Sequence, residues 1–199
     1  MIKAVVFDLG GVLVKLAPLH QVFGQPYHEA DSVFWRHWLH SEVVRRFETG
    51  CSTLDEFIAD IKEELKLGLS HEELIRRHRG FIQGLYPGVT DLLDQLKENY
   101  LLVSLSNNNP VHWPVMMNDY GLERQFHFHF PSHETGLIKP DHNAFENITD
   151  SLSLQPNEVL FVDDNEINVN AAKEVGFLAC QAKGIDAARR GLIAHNIMR

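Results

Sequence analysis

Short apolar runs recur along this chain between longer mixed stretches. Residues 3–8, 101–105 and 159–162 are such runs, rich in Val, Leu and Phe. Brief, β-branched and mostly apolar, they read as strands buried on both faces of a parallel sheet. Residues 177–182 read as a last short strand. In 126–130 Phe and His alternate with period two, which predicts a strand with His127 and His129 facing outward opposite three Phe. Helical spacing fills the gaps. Val89, Leu92, Leu93 and Leu96 mark one helix after Tyr86-Pro87-Gly88, and Met116-Met117 mark a short one ending near Gly121. A third starts at Pro140 with Ala144, Phe145 and Ile148 on one side, and a fourth spans 166–175 and stops at Gly176.

Between about 16 and 84 the pattern changes. Strand-like runs are missing, and aromatic, His and charged residues dominate. Thr53-Leu54-Asp55-Glu56 and Ser70-His71-Glu72-Glu73 both match a capping box. Phe57, Ile58, Ile61 and Leu65 follow on one helical face. The chain therefore divides into an α/β core, 1–15 and 85–199, and an inserted helical cap, 16–84. Strand–helix alternation in the core implies a Rossmann-like parallel sheet with helices on both faces.

Composition narrows the function. The 199 residues are 44% hydrophobic and 23% charged, within the range of an ordinary globular protein. A net charge of −9 argues against nucleic-acid backbones and anionic membranes as partners. Two cysteines, Cys51 and Cys180, make no disulfide framework and fit a reducing compartment; Cys180, on a late strand, reads as core. Met1 leads straight into the first strand, and no apolar run approaches the roughly 20 residues of a spanning helix, so a cytoplasmic protein is expected.

Each of three apolar strands ends on chemistry. The first runs into Asp8, the second into Ser106-Asn107, the third into Asp163-Asp164. Lys139 stands just before Pro140. In an open α/β sheet, ligands bind beyond the carboxyl ends of the strands, so these residues converge. A carboxylate nucleophile, a hydroxyl, a lysine and further acids suit metal-assisted phosphoryl transfer. Adjacent acids near a third repel one another unless a cation lies among them, and hard oxygen ligands suit Mg²⁺.

With these residues in order, the chain resembles the haloacid dehalogenase (HAD) superfamily, mostly phosphatases. Val5-Val6-Phe7-Asp8-Leu9-Gly10-Gly11-Val12-Leu13 is similar to its first motif and Leu105-Ser106-Asn107 to its second. Gly136-Leu137-Ile138-Lys139-Pro140 with Phe145 resembles the third. Phe161-Val162-Asp163-Asp164-Asn165 through Asn168, Ala171-Ala172 and Gly176 resembles the fourth. Segment 16–84 sits where subclass I members insert a helical cap. Within the superfamily the motifs look most like bacterial sugar-phosphate phosphatases acting on α-glucose 1-phosphate. The resemblance implies Asp8 as nucleophile, Ser106 and Asn107 on the phosphoryl oxygens, and Lys139 neutralising charge shared by Asp8 and the phosphate. It implies Mg²⁺ on Asp8, the Gly10 carbonyl and Asp164, with Asp163 a second-choice ligand or outer carboxylate. The expected partner is a small phosphorylated metabolite, a sugar phosphate for preference; nothing in the sequence speaks to oligomeric state.

Gly10 departs from the family pattern, because the usual general acid is an Asp at that position. General acid catalysis contributes about 10²- to 10⁴-fold. Its loss calls for a good leaving group, another proton donor or a water, or else a weak enzyme. On that basis aryl, acyl and anomeric phosphates are expected to outrun alkyl ones. Two alternatives stand beside the phosphatase: a 2-haloacid dehalogenase, and a non-catalytic phospholigand-binding protein. Trp35, His37, Trp38 and His40, with His112 and Trp113, are read chiefly as cap core and interface, and otherwise as a specificity pocket.

Overall fold

The structure is a computed structural model that describes residues 1–24 and 37–199. Trp35 lies outside the described residues. The central sheet has five strands, β1 (Ala4–Phe7), β4 (Leu101–Ser106), β5 (Phe128–Pro131), β6 (Val159–Asp163) and β7 (Leu178–Gln181), in the order β5-β4-β1-β6-β7. Every neighbouring pair is parallel. Ala4 pairs with Leu101 on one side and Val159 on the other, so β1 is the central strand.

Period-two alternation sends successive side chains to opposite faces. Val5, Phe7, Leu102, Leu160 and Val162 pack on one face with α5 (Val89–Lys97) and α9 (Ile185–Ala194). Ala4, Val6, Val103, Val159 and Phe161 pack on the other with α7 (His142–Leu152) and α8 (Glu166–Glu174). Double burial is why these strands are mostly apolar on both faces. The Rossmann-like α/β architecture with helices on both faces is as the sequence implies.

The segment between β1 and α5 carries α1 (Leu19–Phe23), α2 (Glu42–Glu48), α3 (Leu54–Glu64) and α4 (His71–Arg79). Their apolar stripes close a separate cluster of Phe23, Val44, Phe47, Phe57, Ile58, Ile61 and Leu74. Thr53 forms the full capping box with Glu56, whereas Ser70 caps Glu73 N but Glu73 turns to Arg76 and Arg77. The segment is not wholly helical. Its ends are stitched by an antiparallel ribbon of β2 (Val14–Leu16) and β3 (Ile82–Leu85), pairing Val14 with Leu85 and Leu16 with Ile82. β3 escapes the sequence pattern because Ile82 is its one buried position and Gly84 interrupts it at φ 97°.

Three further expectations change. The third core helix begins at His142, with Asp141 as its N-cap, because Lys139 and Pro140 lie in a turn closed by Asp141 N donating to Ile138 O at 3.0 Å. Helix α9 has no counterpart in the sequence reading; its apolar positions Ile185, Ala188 and Leu192 are sparse among charged and small residues. On edge strand β5 the expected facing is partly reversed: Phe128 is exposed, while His129 is half-buried against Trp113 and Phe126 with Nδ1 on Ser104 Oγ at 2.8 Å. Cys180 is partly buried and packs on the core.

Candidate active site

Strands β4, β1 and β6 are adjacent and parallel, so their carboxyl ends share one edge of the sheet. Ser106 closes β4, Asp8 follows β1 and Asp163 closes β6. Asp8 N donates to Val162 O at 2.9 Å, which holds the nucleophile candidate against β6. Lys139 arrives from the loop after β5. The Asn107 side chain grips its backbone from both sides: Nδ2 donates to Lys139 O and Oδ1 accepts from Lys139 N, each at 2.9 Å. Lys139 Nζ is then buried between Asp8 Oδ1 at 2.8 Å and Asp163 Oδ2 at 2.7 Å. Residues more than a hundred positions apart in sequence share one ammonium.

The adjacent acids separate in role. Asp163 is fully buried and saturated. Besides Lys139, its carboxylate accepts from Asn165 N at 2.8 Å and from Asn168 Nδ2 at 3.2 and 3.0 Å. Both of its oxygens are thus engaged by donors inside the protein. Asp164 instead faces the cavity. It reaches the turn after β1 only because Gly11, at φ 74°, has no side chain; a Cβ there would lie 2.2 Å from Asp164 Oδ2. Ser106 Oγ is buried, accepts from Asn108 Nδ2 at 3.2 Å and lines the same cavity, as do Gly10 and Asn107.

Oxygens of Asp8, Asp163 and Asp164 lie within 4.8 Å of one another. One ammonium cannot neutralise three carboxylates. Burial pulls the Lys139 pKa down, but Asp163 and Asp8 outweigh it and hold it above the ordinary lysine value. Burial pushes the Asp8 carboxyl up to about 7 against the pull of Lys139, with Asp163 and Asp164 adding to the rise. Burial and Asp163 likewise lift Asp164 to about 6. A divalent cation with hard oxygen ligands fits this surplus of negative charge.

The cavity is about 680 Å³. Its polar end is the cluster just described. Its other walls are largely apolar: Leu16, Leu19, Phe23, Trp38, Phe81 and Met116. The aromatic and His cluster read from sequence divides here. Trp38 and His112 line the cavity, Trp113 packs on His129 and His133, His37 pairs with Glu64, and His40 is exposed.

Among the cavity residues that escaped the sequence reading are Glu48 and His78. Each interrupts an amphipathic stripe: Glu48 follows Val44 by four positions, and His78 follows Leu74 by four. An ionisable residue on the buried face of a helix is the signal that marks them. His78 and His112 contact through Nδ1 and Nε2 at 3.2 Å, and burial holds both well below the usual imidazole range, His112 at about 4.

The family profile of the haloacid dehalogenase-like hydrolases matches residues 2–176, and the chain belongs to that family. A protein named Phosphatase MT3486 from Mycobacterium tuberculosis is 27% identical over 202 residues, covering 96% of this chain and 92% of the relative. The D-ribitol-5-phosphate phosphatase of Bacteroides thetaiotaomicron is 27% identical over 191 residues, 89% of this chain and 90% of the relative. A crystal structure of a HAD family enzyme from the same organism, in complex with magnesium and inorganic phosphate, superposes with a TM-score of 0.73 at 28% identity. That match covers 92% of this chain and 95% of the other.

Proposed function

We propose that this hydrolase is a Mg²⁺-dependent phosphatase of a small phosphate monoester, working through an aspartyl phosphate on Asp8. One observation carries the reading: Lys139 bridges Asp8 and Asp163 while Asp164, beside them, makes no ion pair among the described residues. Such a cluster is built for a divalent metal and an anionic substrate together. Asp8, the Gly10 carbonyl and Asp164 would hold Mg²⁺, which when bound supplies charge neutralisation at the phosphoryl group. Asp8 attacks phosphorus. Lys139 keeps Asp8 aimed and offsets charge on the transferring phosphoryl. Ser106 and the backbone beside Asn107 hold its oxygens, while the Asn107 side chain fixes Lys139.

In this reading residues 16–84 act as a cap over the site. The apolar walls suit an organic group that offers a hydrophobic face; a sugar phosphate meets this by laying its C–H face on Trp38. A 2-haloacid dehalogenase would gain nothing from the unbalanced Asp164. The test is hydrolysis of p-nitrophenyl phosphate with and without Mg²⁺, followed by a screen of phosphorylated metabolites. Turnover that survives excess chelator unchanged refutes the metal role. Turnover of 2-chloropropionate without phosphate-ester hydrolysis establishes the dehalogenase.

A further inference from the structure

Glycine at position 10 removes the usual proton donor from the core. The place is also filled: a Cβ on Gly10 would sit 3.1 Å from Leu16 Cδ1. A side-chain donor would therefore have to come from elsewhere on the cavity wall. Among the described residues that line the cavity, the titratable ones are Asp8, Glu48, His78, His112, Lys139, Asp164, Glu166 and Lys183. Asp8 and Asp164 belong to the nucleophile and metal site. Lys139 is locked between two carboxylates, and Glu166, on the first turn of α8, and Lys183 are both exposed. The His pair is held neutral by burial and by contact with itself.

Glu48 remains, and among the described residues it is the one carboxyl on the cap side of the cavity. It is buried at the end of α2, receives a hydrogen bond from Trp38 Nε1 at 3.3 Å, and senses Lys139 electrostatically. Its backbone is pinned to the core. Ser132 Oγ donates to Glu48 O, Arg45 one turn earlier pairs with Asp141, and Gly50 packs so closely on His133 O that a Cβ would approach to 2.4 Å. These contacts hold a cap side chain at a fixed place beside Asn107 and Lys139, with which it also lines a small cleft.

Resting on the phosphatase reading, we propose that Glu48 is the general acid and base of this enzyme. As the Asp8 oxygen bonds to phosphorus and the bond to the ester oxygen breaks, the Glu48 carboxyl gives its proton to the departing oxygen. An alcohol and a Glu48 carboxylate result. That carboxylate then takes a proton from water as the water oxygen bonds to phosphorus and the acyl-phosphate bond to Asp8 breaks. Inorganic phosphate leaves, and both carboxyls return to their starting states. Burial lifts the Glu48 carboxyl to about 7 against the pull of Trp38 and Lys139, so near neutral pH both of its forms are populated. This revises the expectation from Gly10 alone: wild-type rates should depend only weakly on leaving-group pKa.

The test compares kcat/KM of wild type and Glu48→Gln on p-nitrophenyl phosphate and on n-propyl phosphate, with Mg²⁺ present. The expected loss is about 10²- to 10⁴-fold on the alkyl ester and below about tenfold on the aryl ester, which leaves unaided. With the aryl ester, Glu48→Gln should also show a stoichiometric burst of nitrophenol, because phosphorylation of Asp8 outruns its hydrolysis. Glu48→Asp should recover part of the alkyl rate, and it serves as the working variant if Glu48→Gln does not fold. Equal losses on both esters, or none on either, overturn the role of Glu48 and leave the phosphatase reading standing. A wild type that hydrolyses neither ester overturns both.

Discussion

Asp163 and Asp164 are neighbours in sequence and opposites in the structure. Asp163 spends its carboxylate on Lys139, Asn165 and Asn168, inside the protein. Removing one partner of a buried ion pair typically costs about 3–5 kcal/mol. Asp163→Ala should therefore lower stability by roughly 3 kcal/mol, the low end, because Lys139 keeps Asp8; denaturant melts measure it. Asp8→Asn should keep the fold and abolish turnover, and label from a phosphorylated substrate trapped on any other residue would refute Asp8 as nucleophile. Glu48 offers a pH signature. The native state favours its neutral form up to about 7, whereas the ordinary value is 4.5. Wild type thus loses this contribution as pH rises from about 4.5 to about 7 and loses no more above it. The Tm advantage of Glu48→Gln over wild type should grow across that window and then stay flat, with Lys139, Asp8 and Asp164 common to both proteins. A pH-independent offset would show that the native carboxyl is not shifted.

At the scale of elements, α2 matters most for chemistry because it is tied to the core at Asp141, Ser132 and His133. Gly50→Ala puts a side chain into His133 O at a φ of 76°, a doubly unfavourable position. The end of α2 must lift, carrying Glu48 with it. A loss of kcat/KM on alkyl phosphates with little loss on aryl phosphates is expected, and kinetics equal to wild type would show that this docking is not needed. These contacts explain what was legible in the sequence. Strands β1, β4 and β6 and their terminal Asp8, Ser106 and Asp163 could be read because burial on both faces writes a continuous apolar run. The ribbon strand β3 and helix α9 could not, since each buries few positions and owes its form to tertiary partners. The grip of Asn107 on Lys139 is a long-range contact that no local pattern encodes.

Across the whole molecule, the described residues pack into three apolar clusters. Two lie on the faces of the sheet and the third binds the inserted helices. No helix among the described residues is long and apolar enough to cross a membrane. The chain carries a net charge of −9, and part of that excess is concentrated where three carboxylates face one lysine. The folded state therefore stores a repulsion that a divalent cation relieves and the unfolded chain does not have. Ligand that binds only the folded state stabilises it by about 2.7 kcal/mol at a hundredfold excess over Kd. Mg²⁺ should raise the Tm of wild type in a saturable way. Asp164→Ala should itself be mild or even stabilising without metal, because it removes repulsion, and it should abolish the saturable rise. Asp163→Ala should start lower yet keep a rise. NaCl at matched ionic strength separates site binding from screening of the acidic surface. If NaCl reproduces the Mg²⁺ response, or Asp164→Ala retains it in full, the cluster holds no metal and the charge balance rests on the protein's own lysines.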